Sequence, residues 1–126
     1  GKFSIAECLV LNLIDLKGMF GMTEQPQNDG YSVGSAIGTL LIDNKRTKVT
    51  EWSFSVKGDN TGWHKHDNDY VVIPLFTGDL CIFDGDKKSI SSLNHGVPYF
   101  RERGVSHDVI NANDFPCKFI EVEFLE

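Results

Sequence analysis

Residues 58–78 read GDNTGWHKHDNDYVVIPLFTG, and this stretch decides the fold. A turn-rich segment, 58–62, leads into a run of β-branched and aromatic residues, 64–76, which ends at Thr77 and Gly78. Such a run between turn residues is typical of a β-strand. His64 and His66 lie near its start and are separated by one residue, Lys65. Because side chains alternate along a strand, both imidazoles lie on one face. The segment therefore predicts a strand with two histidines on one side.

Similar short runs lie on both sides of this segment. Upstream, Thr50, Trp52, Phe54 and Val56 alternate with polar residues, which predicts a strand with one apolar face. Hardly any window shows a helical period. Short, closely spaced strands with turns between them indicate an all-β sandwich or barrel. The further predicted strands are 80–83, 89–93, 97–101, 107–112 and 117–125.

Length, composition and charge limit the class of protein. With 126 residues, 14 of them aromatic, the chain has enough apolar side chains for one domain with one core. A net charge of −6 argues against a nucleic-acid partner, and no stretch of roughly 20 apolar residues predicts a membrane span. The three cysteines, Cys8, Cys81 and Cys117, each lie in an apolar stretch and are odd in number. They are typical of buried thiols in a reducing compartment, so a cytoplasmic location is expected.

Residues 1–37 differ from the rest of the chain. An apolar first half is followed by a polar, glycine-containing second half, and we interpret the whole as an N-terminal extension of a domain at 38–126. A small barrel leaves sheet edges and one sheet face to cover, and the apolar stretch 5–16 exceeds what a monomer of this size needs on its surface. We therefore expect a homodimer, with 5–16 or the sheet segment 38–56 at the interface.

Glycines and histidines at fixed spacings extend the pattern around the two histidines. Gly58, five residues, His64-Lys65-His66 and Gly78 form one set; the second set is Gly96, Gly104, His107 and Asn111. Together they resemble the two signature motifs of the cupin superfamily, over about residues 38–126. The resemblance implies a cupin double-stranded β-helix, a jelly-roll barrel. The runs 66–74 and 107–113 look like those of small bacterial cupins loosely linked to β-alanine degradation.

The resemblance also implies a metal centre. His64, His66 and His107 correspond to three metal ligands, whereas Tyr70 lies where cupins usually have a ligand glutamate. Three histidines without the glutamate resemble the non-haem iron sites of cupin dioxygenases, and Fe(II), Zn, Ni or Mn is the expected divalent ion. We expect Tyr70, neutral near pH 7, to donate a hydrogen bond or transfer a proton beside the ion. Asp69 has the opposite strand parity and would enter only through a bulge.

Further residues are candidates for contact with a small-molecule substrate. Trp52 and Tyr99 are expected at the mouth of the pocket, and Arg101 suits a substrate carboxylate because its guanidinium binds carboxylates bidentately. His95 lies in a turn and is expected to be exposed. The leading hypothesis is a metal-dependent enzyme that oxidises a small polar metabolite in a dioxygenase-like reaction. The alternatives are a non-catalytic cupin that binds or senses a small molecule, a metal-dependent isomerase or lyase that uses no O₂, and a barrel that has lost its metal.

Overall fold

The computed structural model of the protein describes residues 33–126, and every regular element in that range is a β-strand. The 64–76 run, predicted as one strand, is two strands separated by residues 66–69. None of the described residues forms a helix long and apolar enough to cross a membrane. The strands are β1 (Ile37–Asp43), β2 (Thr47–Phe54), β3 (His64–Lys65), β4 (Tyr70–Pro74), β5 (Gly78–Phe83), β6 (Lys88–Leu93), β7 (Tyr99–Arg101), β8 (Ser106–Asn111) and β9 (Cys117–Phe124).

The strands form two antiparallel sheets. One has five strands in the order β1-β2-β9-β4-β7, and the other has four in the order β3-β8-β5-β6. Consecutive strands are often in different sheets, as in a jelly roll. The fold is therefore the all-β double-stranded β-helix that the sequence predicts.

The core lies between the inner faces of the two sheets. Because side chains alternate along a strand, every second residue of a strand faces inward. The rings of Phe54 and Phe119, on neighbouring strands, lie 5.7 Å apart between centroids. The predicted apolar face of β2 is correct as far as Phe54, but Val56 lies beyond the strand and is 61% exposed. The buried core contains Phe54, Tyr70, Val72, Phe76, Leu80, Leu93, Val109, Cys117 and Phe119.

Asn111, the last residue of the second motif, stabilises the fold through hydrogen bonds. The side-chain amide of Asn111 donates to the carbonyl oxygens of Val56 and Phe115, at 3.0 and 3.1 Å. Its oxygen accepts from the backbone N–H of Asn113 at 2.9 Å. Asn113 in turn packs so closely on Gly78 that a Cβ there has no room. Asn111 thus ties β8 to the end of β2 and to the turn before β9.

Among the described residues, strand β1 is an edge of the five-stranded sheet. All seven of its residues are exposed, and Leu40, Leu41 and Ile42 are each about half exposed. The pairing with β2 shifts register between Leu40 and Ile42, which marks a bulge. The predicted interface at 5–16 and most of the predicted extension lie outside the described residues, and the homodimer stays a prediction.

The cysteines agree only in part with the expectation of free thiols. Cys117 is a buried free thiol, and burial raises its pKa to about 11. Cys81 is also buried but is disulfide-bonded, so the expectation of a free thiol is wrong at that position. The cytoplasmic location stays a prediction.

Candidate metal centre and cavity

Three histidines meet on the inner side of the four-stranded sheet. His64 on β3 and His107 on β8 are direct cross-strand partners. His66 follows β3 and is held by two backbone hydrogen bonds of 2.8 Å: it donates to Val105 O and accepts from Gly104 N. The imidazole centroids lie 4.7 to 5.1 Å apart. The three rings therefore lie close enough to share one ion, although β3 itself has only two residues.

A carbonyl group fixes the tautomer of His64. Its Nδ1 lies 2.8 Å from Gly62 O, which can only accept, so Nδ1 carries the proton. The Nε2 atom of a neutral His64 is then left with a free lone pair. Gly62 is itself held in place, because its N–H donates to Asp108 at 3.0 Å. Asp108, the neighbour of His107, also accepts two bonds from the amide of Asn60, so it ties the 58–62 turn to β8.

The free nitrogen of His64 faces His66. The two Nε2 atoms lie 3.1 Å apart. Two nitrogens that bind one ion at about 2.0–2.1 Å with tetrahedral geometry lie roughly 3.3 Å from each other. This spacing therefore fits one cation between the two rings, or one shared proton.

Burial keeps two of the histidines neutral. It lowers the pKa of His64 from its ordinary 6.5 to about 4, with the neighbouring His66 acting in the same direction. Burial and the two other histidines lower the pKa of His107 to about 3. Neutral imidazoles offer the lone pair that a divalent ion needs, and imidazole suits Fe(II), Zn and Ni. The donor set thus fits the metal centre that the sequence predicts.

Tyr70 lies beside these histidines, as expected. Its ring is stacked on His66, with centroids 3.9 Å apart and an interplanar angle of 18°. Burial, together with the nearby Glu121, raises the pKa of the phenol well above its usual 10. The hydroxyl is therefore neutral and cannot add a negative charge to the ligand set.

Two glutamates of β9 complete the cluster and were not among the predicted site residues. An oxygen of Glu121 and an oxygen of Glu123 each lie 3.9 Å from Nδ1 of His66. With His66 they form a second group that could hold a metal ion. A signal for them exists in the sequence: Cys117 and Phe119 are inward apolar positions of β9, and the period of two continues to the two acids.

A cavity of about 380 Å³ lies beside His107, in the interior of the barrel. Tyr99 and Arg101 lie in its wall, as expected, and the guanidinium of Arg101 is over the ring of Tyr99, 4.5 Å from its centroid. Trp52 is not in the described wall of this cavity. Its indole is stacked on His64 with centroids 6.4 Å apart, so it contacts a candidate ligand instead of the substrate space. The wall also includes Tyr70, Val72, Leu80, Ile82, Ser89, Ile90, Ser91, Val105, His107, Val109, Phe119 and Glu121.

Other polar residues near the motifs lie away from this cluster. Asp69 accepts from the backbone N–H of Arg103 at 2.9 Å and also pairs with its side chain, at the surface. It does not replace the missing glutamate. His95 is exposed in its turn, as expected.

The fold and the motifs together define a cupin, and the chain belongs to the cupin superfamily. A crystal structure of a cupin domain from Bordetella pertussis Tohama I has 44% sequence identity and a TM-score of 0.71, over 77% of this chain and 100% of that one. The beta-alanine degradation protein BauB of Pseudomonas aeruginosa is 42% identical over 88 residues, which cover 70% of this chain and 92% of the relative.

A more distant likeness concerns the fold alone. An RmlC-like cupin with a double-stranded β-helix fold from Methanocaldococcus jannaschii has 13% identity and a TM-score of 0.60, over 80% of this chain and 87% of that one. No family model matches the chain.

Proposed function

We propose that the protein is a metal-dependent enzyme that oxidises a small polar metabolite in a dioxygenase-like reaction. His64, His66 and His107 hold one divalent ion, which is Fe(II), Zn, Ni or Mn, with Fe(II) required for the reaction with O₂. The observation that carries the proposal is the convergence of three imidazoles, two of them kept neutral by burial, with two Nε2 atoms 3.1 Å apart. Three protein ligands leave positions on the ion for substrate and O₂.

The cavity supports a small substrate with a carboxylate. Its volume of about 380 Å³ is at the small end of ligand pockets, and most of its wall is apolar. Arg101 is the only Lys or Arg among the described residues of the wall, and its planar fork suits a carboxylate. The name of the Pseudomonas relative refers to β-alanine degradation. β-Alanine and carboxylates of similar length are therefore the first substrates to test.

The residues of the chain have separate tasks in this proposal. A bound ion supplies Lewis acidity and, as Fe(II), the electrons with which O₂ reacts. Arg101 orients the substrate carboxylate, and Tyr70 donates a hydrogen bond beside His66. The apolar wall formed by residues such as Val72 and Val109 limits the entry of water. In a dioxygenase both oxygen atoms enter the product, so no separate reductant is consumed.

Metal analysis followed by oxygen consumption tests the proposal. We expect about one transition-metal ion per chain after purification or after dialysis against Fe(II), Zn, Ni or Mn, and oxygen uptake with a short carboxylate under Fe(II) loading. Metal uptake without oxygen uptake, but with turnover, favours the isomerase or lyase. Ligand binding without turnover favours the binding or sensing module. A chain that takes up none of the four ions contradicts the metal centre.

A further inference from the structure

We propose that Ser89 and Ser91 determine substrate specificity by binding a second polar group of the substrate, across the cavity from Arg101. The substrate is then a short carboxylate with a hydroxyl or amino group at its other end. This inference rests on the proposed function, since it names the substrate class of the same site. It concerns two residues of β6 that belong to neither motif.

The wall of the cavity includes strands at the edges of both sheets. Among the described residues, β6 is the last strand of the four-stranded sheet, β7 is the last strand of the five-stranded sheet, and the two are not paired. Ser89 and Ser91 of β6 and Arg101 of β7 line the same cavity. Ser89 and Arg101 are exposed, whereas Leu80 and Phe119, also in the wall, are buried. The mouth of the cavity therefore lies between β6 and β7.

The hydroxyls of Ser89 and Ser91 are available to a ligand. Both serines are in register with residues of β5 that also line the cavity, Ile82 and Leu80, so they face the same side of the sheet. Within residues 33–126, neither hydroxyl has a hydrogen-bond partner. A serine hydroxyl both donates and accepts, so the pair suits a hydroxyl or an amino group of a ligand.

Arg101 is held on the other sheet by two contacts of its own. Its guanidinium lies over the ring of Tyr99, 4.5 Å from the centroid, and donates from Nη1 to Phe100 O at 2.9 Å. In the described part of the chain, no carboxylate forms an ion pair with it. A carboxylate that binds this fork presents both oxygens to it, which leaves the rest of the ligand to contact the other sheet.

The space between the sheets limits the length of the ligand. Facing sheets lie roughly 10 Å apart, and the side chains of Arg101 and the two serines fill part of that distance, which leaves room for a chain of about three or four carbons. The wall between them is apolar, with Val72 on one sheet and Val109 on the other. A short aliphatic chain with a polar group at each end therefore matches the cavity.

Glu121 is a competing partner for the second polar group. It lines the same cavity, but one of its oxygens lies 3.9 Å from Nδ1 of His66, at the histidine end. If Glu121 binds the second group, removal of the two serine hydroxyls leaves the preference between ligands unchanged. The serine variant therefore separates the two partners.

Two matched ligands test the inference on the metal-free chain. 3-Hydroxypropionate and propionate share the carboxylate and the three-carbon chain and differ in the terminal hydroxyl. After metal is removed with a chelator and the chelator is dialysed away, ¹H–¹⁵N chemical-shift titrations give the Kd of each ligand. We expect the original chain to bind 3-hydroxypropionate at least about 10-fold more tightly, because a site built to bond a hydroxyl discriminates against the analogue without it.

The serine variant and its control give the decisive comparison. In S89A/S91A we expect the ratio of the two Kd values to fall to about 1, with the affinity for propionate unchanged. The control S92A removes a hydroxyl from the other face of β6, where Ser92 donates to Asp79 at 2.8 Å. It should keep the ratio of the original chain. Arg101→Met should weaken both ligands by a similar factor, about 10- to 100-fold, because the carboxylate is common to both.

The outcomes keep this inference separate from the proposed function. Equal Kd values in the original chain, or an unchanged ratio in S89A/S91A, overturn the role of the serines and leave the metal centre and the contact with Arg101 standing. If the original chain binds neither ligand, the inference fails as well, while metal analysis still decides the histidine centre. Thermal unfolding checks that S89A/S91A folds; if it does not, the single variants S89A and S91A should each lower the ratio, and no change in either contradicts the inference.

Discussion

The two ends of the barrel interior differ in polarity, although the same strands contribute to both. At one end, Phe54, Phe119 and Cys117 belong to the buried apolar core. At the other end, the inner face of the same β9 continues to Glu121 and Glu123, which face a histidine cluster. The first end contributes stability because apolar surface is removed from water. The second end buries titratable groups, which costs stability unless partners or an ion compensate.

The largest effect is expected at the apolar end. Phe54 is fully buried and packs on Phe119, so Phe54→Ala should lower the free energy of unfolding by about 3–5 kcal/mol. Urea unfolding measures the loss, and Zn²⁺ titration of the folded variant should give an affinity close to that of the original chain. If the affinity falls as strongly as the stability, the two ends are not independent.

The reverse experiment removes a ligand from the histidine end. His107→Ala should lower metal affinity by roughly a hundredfold or more, because coordination to the three imidazoles supplies most of the binding energy. In the metal-free form, its stability should change less than that of Phe54→Ala. The control is His95→Ala, an exposed histidine that should leave metal affinity unchanged. Equal affinities for His107→Ala and His95→Ala would contradict the centre.

Tyr70 lies at the boundary between the two ends, since it is part of the core and is also stacked on His66. Tyr70→Phe keeps the ring and removes the hydroxyl, so metal affinity should stay the same while turnover falls by about 10² or more. Tyr70→Glu should restore the commoner set of three histidines and one glutamate, and it should shift metal preference. If Tyr70→Phe loses its metal, the hydroxyl is itself a ligand and the assignment is wrong.

In the metal-free chain, the free energy of unfolding should depend on pH because the histidines are buried in their neutral form. The pKa values of His64 and His107 are lowered from the ordinary 6.5 to about 4 and 3, so near pH 5 to 5.5 the unfolded chain binds almost two protons more than the folded one at these sites. The pKa of Glu121 is raised by burial to about 7, so at this site the folded chain binds one proton more. The net difference is one proton in favour of the unfolded state.

Stability should therefore fall as pH falls, with a slope that is shallow near pH 6.5 and reaches about 1.4 kcal/mol per pH unit near pH 5 to 5.5. Urea unfolding in the presence of a chelator, between pH 5 and 6.5, measures this slope. Glu121→Gln removes the opposing proton, so its slope should be nearly twice as steep. A flat profile in the original chain would show that the histidines are not buried neutral bases.

Periodicity and turns predict the fold well because short strands with alternating burial dictate sheets and inner faces. The strand at 117–125 and the inward positions of Trp52 and Phe54 are examples. The break after Lys65 was not predicted, because Gly104 and Val105, remote in sequence, bond the backbone of His66. Glu121 and Glu123 were not predicted as site residues, because their proximity to His66 depends on the pairing of β9 with β4. Pairing between distant strands is not encoded in local periodicity.

Substitutions in β1, at the edge of the sheet, should have the smallest effect on the core and the site. The apolar residues of β1 are exposed and belong to neither end of the interior. Within residues 33–126, Leu40 and Ile42 are about half exposed on an edge strand, which is the kind of surface that a second copy covers. We expect light scattering at micromolar concentration to give the mass of a dimer. The double variant Leu40→Lys/Ile42→Lys should have the mass of a monomer. Its Zn²⁺ affinity should not fall, because β2 separates β1 from β9. The control Lys45→Glu changes charge in the exposed turn after β1 and should remain dimeric. A monomer mass for the original chain would contradict the homodimer, and a loss of metal affinity in the monomeric variant would mean that the histidine end depends on the assembly.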